Sequence, residues 1–80
     1  MNSNSHSSLS SEDQQENLRL IRRNTVQHMT GLSASSIYQL MADDAFPQAV
    51  QLSERRVAWV EQEVLQWIKA RIKQRQRDEV

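Results

Sequence analysis

Thr30-Gly31-Leu32-Ser33-Ala34-Ser35-Ser36-Ile37-Tyr38, followed eight residues later by Phe46-Pro47, has the pattern of a helix end, a tight turn and a second helix start. Gly31 is the sole glycine among 80 residues. A single glycine belongs where the backbone must take a positive φ, as it does just past a helix C-terminus. Two positions on, Ser33 has the short hydroxyl side chain that caps a helix start by accepting backbone N–H bonds. The spacing therefore predicts a helix–turn–helix corner, with a turn of about three residues between its helices.

Working forward from the corner, the second helix is expected over 34–43, with Ile37, Leu40 and Met41 on its core side and Ala34 close to them. Ser35, Gln39 and Ala42 fall on the opposite side, and Ser36 and Tyr38 on its flanks. Phe46-Pro47 stops this helix, because proline lacks an N–H and holds the residue before it extended. Val50 and Leu52 then alternate with Gln51, and Val57 and Trp59 with Ala58, around the polar Ser53-Glu54-Arg55-Arg56. That alternation predicts a β-hairpin with a charged tip.

A third helix is expected from Glu61 to about Arg75. Acids stand in its first turn and Lys69, Arg71, Lys73 and Arg75 near its end, as the helix dipole favours. Val60, Val64, Trp67, Ile68 and Ile72 form its packing side with Leu65 at the margin, and Trp59 and Trp67 are assigned to the core.

Working backward, Val26 and Met29 give the first helix, expected over 25–30, an apolar side; Asn24 with Gln27 fits a variant capping box at its start. His28 in this helix suits either an exposed polar position or a phosphate contact. Leu18, Leu20 and Ile21 form an apolar entry segment in front of it. Residues 1–17 are polar and acidic with Leu9 as the one large apolar side chain after Met1, which predicts a disordered tail. His6 in that tail has no partners at ligand spacing and is assigned to solvent.

The domain plan is thus a tail over 1–17, a folded unit over 18–77 and an acidic end over 78–80. The formal net charge of zero conceals an uneven distribution. Residues 1–17 carry −3 and residues 78–80 carry −2, whereas 18–77 hold all ten Lys and Arg against five carboxylates, a balance of +5. A basic core with acidic ends is compatible with a nucleic-acid partner despite its neutral sum. The chain has no cysteine, no apolar run of membrane-spanning length and no signal-peptide segment, so a cytoplasmic protein without membrane association is expected. It also lacks a paired-carboxylate setting, a nucleophile with a base at credible spacing and a Gly-rich phosphate loop. No catalysis, cofactor or metal is expected.

Val26, Thr30-Gly31-Leu32-Ser33, Ile37-Tyr38, Phe46-Pro47, Val50, Trp59, Glu63-Val64 and Trp67 stand in the order and at the separations of a known family. Over about 20–72 the chain resembles the AlpA family of phage and prophage regulators, small relatives of MerR-like and excisionase winged-helix proteins. The resemblance implies a mainly α winged helix-turn-helix fold, three helices plus a two-stranded wing. It implies binding to double-stranded promoter or attachment-site DNA and control of mobile-element genes. By position, the recognition helix would contribute Ser35, Ser36, Tyr38 and Gln39, the wing Arg55 and Arg56, and the approach to the first helix Arg22.

This chain has Ala34 and Gln39 where the family commonly has basic residues, and Asp44 where it commonly has glycine. Two other roles therefore stand beside the regulator. One is an excisionase-like architectural factor that bends DNA for an integrase or recombinase, in several self-associated copies. The other is an interaction module that has lost DNA binding.

Overall fold

The computed structural model describes residues 18–78. The expected tail, with Leu9 and His6, lies outside the described residues, as do positions 79 and 80. The elements follow in the order β1 (Leu20–Ile21), α1 (Arg23–Thr30), α2 (Ala34–Ala42), β2 (Val50–Ser53), β3 (Arg56–Val60) and α3 (Glu61–Asp78). The sheet is antiparallel with strand order β1-β3-β2.

The corner forms as its residues require. Gly31 closes α1 at φ 77°, and its N–H donates to the Gln27 carbonyl at 2.7 Å. Thr30 holds the turn from both sides: its hydroxyl donates to the Val26 carbonyl at 2.8 Å and accepts from the Leu32 N–H at 3.1 Å. Ser33 caps α2, accepting from the Ser36 N–H at 3.2 Å.

The start of α1 differs from expectation. Arg22, not Asn24, is the N-cap, since its carbonyl accepts the Val26 N–H at 3.1 Å, and its side chain makes no cap bond. Asn24 lies inside the first turn, where its Oδ1 accepts from the Thr25 N–H at 2.9 Å. Asparagine is satisfying a donor that the helix leaves without an intrahelical partner, but from within the helix.

Helix α2 ends at Ala42 rather than Asp43, several residues before Pro47. The stop is a Schellman arrangement: Asp44 takes φ 57°, its N–H donates to Met41 and the Ala45 N–H donates back to Leu40 at 2.7 Å. Aspartate tolerates the left-handed region better than most side chains. The Gln48 amide then donates to the Met41 carbonyl at 3.0 Å.

The entry segment supplies the largest correction, making the sheet three-stranded where a two-stranded wing is expected. Leu20 pairs with Val60 and Ile21 with Trp59, so β3 is the central strand. Its central place explains why Ala58 and Trp59 are both fully buried although they point to opposite faces. In the hairpin, Val50 pairs with Ala58 and Gln51 with Val57, and a register shift before Ser53 leaves Leu52 exposed.

The core comprises Ile21, Val26, Ile37, Phe46, Trp59 and Val64, with Met29, Leu32, Leu40, Met41, Ala49, Val57, Trp67 and Ile68 packed against it. Of the side expected to pack on α3, Val64 is buried and Trp67 and Ile68 half-buried, whereas Leu65 and Ile72 are exposed. Val60 belongs to β3. The helix also runs past Arg75 to Asp78, about 27 Å in all, and every position from Lys69 to Arg75 is exposed. Arg71 lies 4.8 Å over the Trp67 ring as this helix leaves the core.

Both indoles bind the link between α2 and β2. Trp67 Nε1 donates to the Ala45 carbonyl at 2.8 Å and Trp59 Nε1 to the Pro47 carbonyl at 3.1 Å. Phe46, between these carbonyls, is buried with its ring edge-on to Trp67 at 4.9 Å. Replacing Trp59 by phenylalanine leaves a part-buried carbonyl without its donor and opens space beside it. A loss of roughly 2–3 kcal/mol in urea denaturation is expected. Asp44→Gly relieves the left-handed strain and should gain roughly 0.5–1 kcal/mol in the same measurement.

Candidate nucleic-acid interface

The arginines that flank the corner come together in space. Arg22 and Arg23 sit at the start of α1, and Arg55 lies in the two-residue turn between β2 and β3. With Asn24, Tyr38 and Val57 they line an open cleft of about 570 Å³. Tyr38 reaches it from α2; its ring is tilted against buried Trp59 at a centroid distance of 6.2 Å, and it remains 41% exposed. Arg22 and Arg55 also border an adjoining groove with Arg56, Leu52, Ser53 and Glu54. Four arginines thus border two depressions that share Arg22 and Arg55.

Electrostatically this side is open to an anion. No carboxylate lines the first cleft, and Glu54 alone borders the second. Among the described residues, the ion pair found is Arg19–Glu61 at 3.8 Å, outside both depressions. That pair joins the segment leading into β1 to the first turn of α3, beside the 2.7 Å bond from the Glu61 N–H to the Arg19 carbonyl. Asp44 and Glu63 line a different cleft with Phe46, Pro47, Val50 and Gln66. Apart from Glu54, the carboxylates that line a cleft here are thus kept away from the arginine-lined depressions.

The residues singled out from sequence fall into three groups. Arg22, Tyr38 and Arg55 meet in the first cleft, while Arg56 borders the second. Ser35 and Gln39 are exposed on α2 and line neither depression. Ser36 is tied into the cap, its N–H and hydroxyl both bonded to the Ser33 hydroxyl, the latter at 3.0 Å. His28 is exposed on α1 and lines neither depression. Arg23 and Asn24 belong to the cleft and are missed by the sequence pattern. Their signal is the pair Arg22-Arg23 at a helix start, which opposes the helix dipole and invites an external anion.

Two short helices, one long one, a three-stranded antiparallel sheet and a basic cleft beside a helical corner make up this small domain. Residues 19–72 match the family model described as Prophage CP4-57 regulatory protein (AlpA), and the chain belongs to this AlpA family. It is also similar to a protein of Enterobacteria phage P4 described as "Uncharacterized protein ORF88", with 42% identity over 59 residues. That alignment covers 74% of this chain and 67% of the phage protein. The family is described as a prophage regulatory one, and the relative is a phage protein. Among the described residues no helix is long and apolar enough to cross a membrane.

The placement of α2 depends on Gly31, and an added Cβ there would meet nothing within 4 Å. Gly31→Ala should therefore lose about 1–2 kcal/mol of stability from the left-handed backbone alone. Because no clash adds to it, Gly31→Asn should recover part of that loss in the same denaturation experiment.

Proposed function

We propose that this protein is a sequence-specific DNA-binding transcriptional regulator of a prophage or mobile element. In this proposal the domain is a winged helix-turn-helix: α2 enters the major groove, and the β2–β3 hairpin is the wing on the backbone or in the minor groove. The observation that carries it is that Tyr38 of α2 and Arg55 of the hairpin tip line one cleft. Recognition helix and wing then address the same side of the molecule, as two elements straddling a duplex must.

The roles divide by chemistry. Arg22, Arg55 and Arg56 attract and position phosphates, and a positively charged approach speeds encounter. Exposed Ser35 and Gln39 present hydrogen-bonding groups to base edges, and the Gln39 amide suits adenine N6/N7. Ser36 is occupied by the cap, so its part is to stiffen the first turn of α2. Asp44 need not oppose the duplex, since it borders the separate cleft beside Glu63.

Helix α2 carries no Lys or Arg. That single feature favours a second reading, a module that captures another regulator or a recombinase without DNA. Capture of such a partner after nuclease treatment, combined with failure of every gel shift, would support it.

Selection of bound duplexes from a random pool tests the leading proposal. Neutralisation of four to six phosphates predicts that log K falls against log[salt] with a slope of about −4 to −5. A flat dependence, or equal affinity for selected and random duplexes, overturns the proposal. Arg56→Ala should weaken all sequences about equally, whereas Gln39→Ala should relax preference at one base pair.

A further inference from the structure

We propose that the cleft between the start of α1, Tyr38 and the hairpin tip holds one deoxyribose-phosphate unit of a DNA strand, with Arg22, Arg23 and Arg55 gripping the same phosphate. This rests on the DNA-binding proposal and specifies its central contact. The cleft is furnished for that ligand by features drawn from separate parts of the chain.

Its polar lining is rich in donors. Three arginines, an asparagine and a tyrosine line it, with Val57 as its aliphatic member. Arginine presents a planar fork of N–H groups that matches phosphate oxygens two at a time. Asn24 has committed its Oδ1 to the Thr25 N–H at 2.9 Å, so the amide has its NH₂ left to offer. No carboxylate lines this cleft; Glu54 borders the adjoining groove and makes no ion pair with these arginines.

The local backbone has the same polarity. Arg22 caps α1 without a side-chain bond, and the first turn has no acid and carries Arg23. An N-terminus normally gains from negative charge, so cations here leave a favourable place for an external oxyanion. A helix terminus alone would say little. Here Arg55, more than thirty residues along the chain, is brought to the same place by the hairpin.

The floor argues for a sugar-phosphate unit over a bare ion. The Tyr38 ring, backed by Trp59, and the half-buried Val57 give an apolar surface against which the carbon face of a deoxyribose can rest. A strand held there fixes the register of the duplex, leaving Ser35 and Gln39 to meet the bases.

The test uses the full chain and its selected duplex, prepared as a series in which one phosphate at a time is replaced by a neutral methylphosphonate. Wild type should lose about tenfold or more in affinity at one position, where charge-assisted bonds are removed. Arg22→Ala, Arg23→Ala and Arg55→Ala should each lose sensitivity at that same position. Combined, the three substitutions should lower the salt slope by about one, since a single phosphate is released. Arg55→Lys, which keeps the charge but not the fork, should recover only part of the affinity.

These arginines are exposed, and unchanged helix content by circular dichroism establishes that each variant is folded. Loss of sensitivity at different phosphates for Arg22 and Arg55, or a slope reduced by about three, overturns the shared grip while leaving DNA binding intact. Failure of the wild type to prefer any duplex overturns both proposals.

Discussion

The pair of indole hydrogen bonds on either side of Phe46 is the constraint on which the rest of the fold depends. The stretch between α2 and β2 has no ladder or helix of its own to hold it. Trp67 binds it from α3 and Trp59 from the central strand, while Phe46 fills the space between those anchors. A net gain of about 1 kcal/mol per bond is modest, but the Trp59 bond also satisfies a part-buried carbonyl beside the core. The result couples three layers, α2, sheet and α3, through three consecutive residues. A domain with roughly sixty described residues has little apolar surface to spare, so such multiply used contacts matter more than they would in a larger protein.

Charge follows a comparable economy. The chain is neutral as a whole, yet the fold sorts its cations and anions. Arg19 is engaged with Glu61 at the seam between the entry strand and α3, and Asp44 shares a cleft with Glu63. The arginines of α1 and the hairpin are left facing a depression that no carboxylate lines. An exposed ion pair such as Arg19–Glu61 contributes little stability. Its more important effect is to occupy Glu61 away from the cationic side.

What the sequence could disclose was set by how local each determinant is. Gly31 and Ser33 act on their own neighbours, so the corner and the first residue of α2 are legible from composition alone. Ile37 and Val64 follow from helical spacing. The capping role passed from Asn24 to Arg22 because the two compete within one turn, and the losing side chain still bonds a neighbouring N–H. Strand β1 is only two residues long, and its partner lies about forty residues away. No periodicity can disclose such a pairing. Leu52 and Ile72 match an apolar pattern but meet no partner, one because of the hairpin's register shift and the other because α3 has left the core. In the cleft, Arg22, Tyr38 and Arg55 were individually recognisable, whereas their meeting with Arg23 and Asn24 is a tertiary fact.

Tyr38 leans on Trp59, a ring with no exposed surface whose N–H is already bonded. The floor of the cationic cleft is consequently almost rigid, with few rotamers to lose when something settles on it. Its walls are the opposite: each arginine is long, solvated and able to sample many conformations, and immobilising it costs about 1.5–2 kcal/mol of side-chain entropy. Affinity at this site should therefore be governed by the ordering of the guanidinium arms, while its shape is set by an aromatic contact anchored on the buried Trp59.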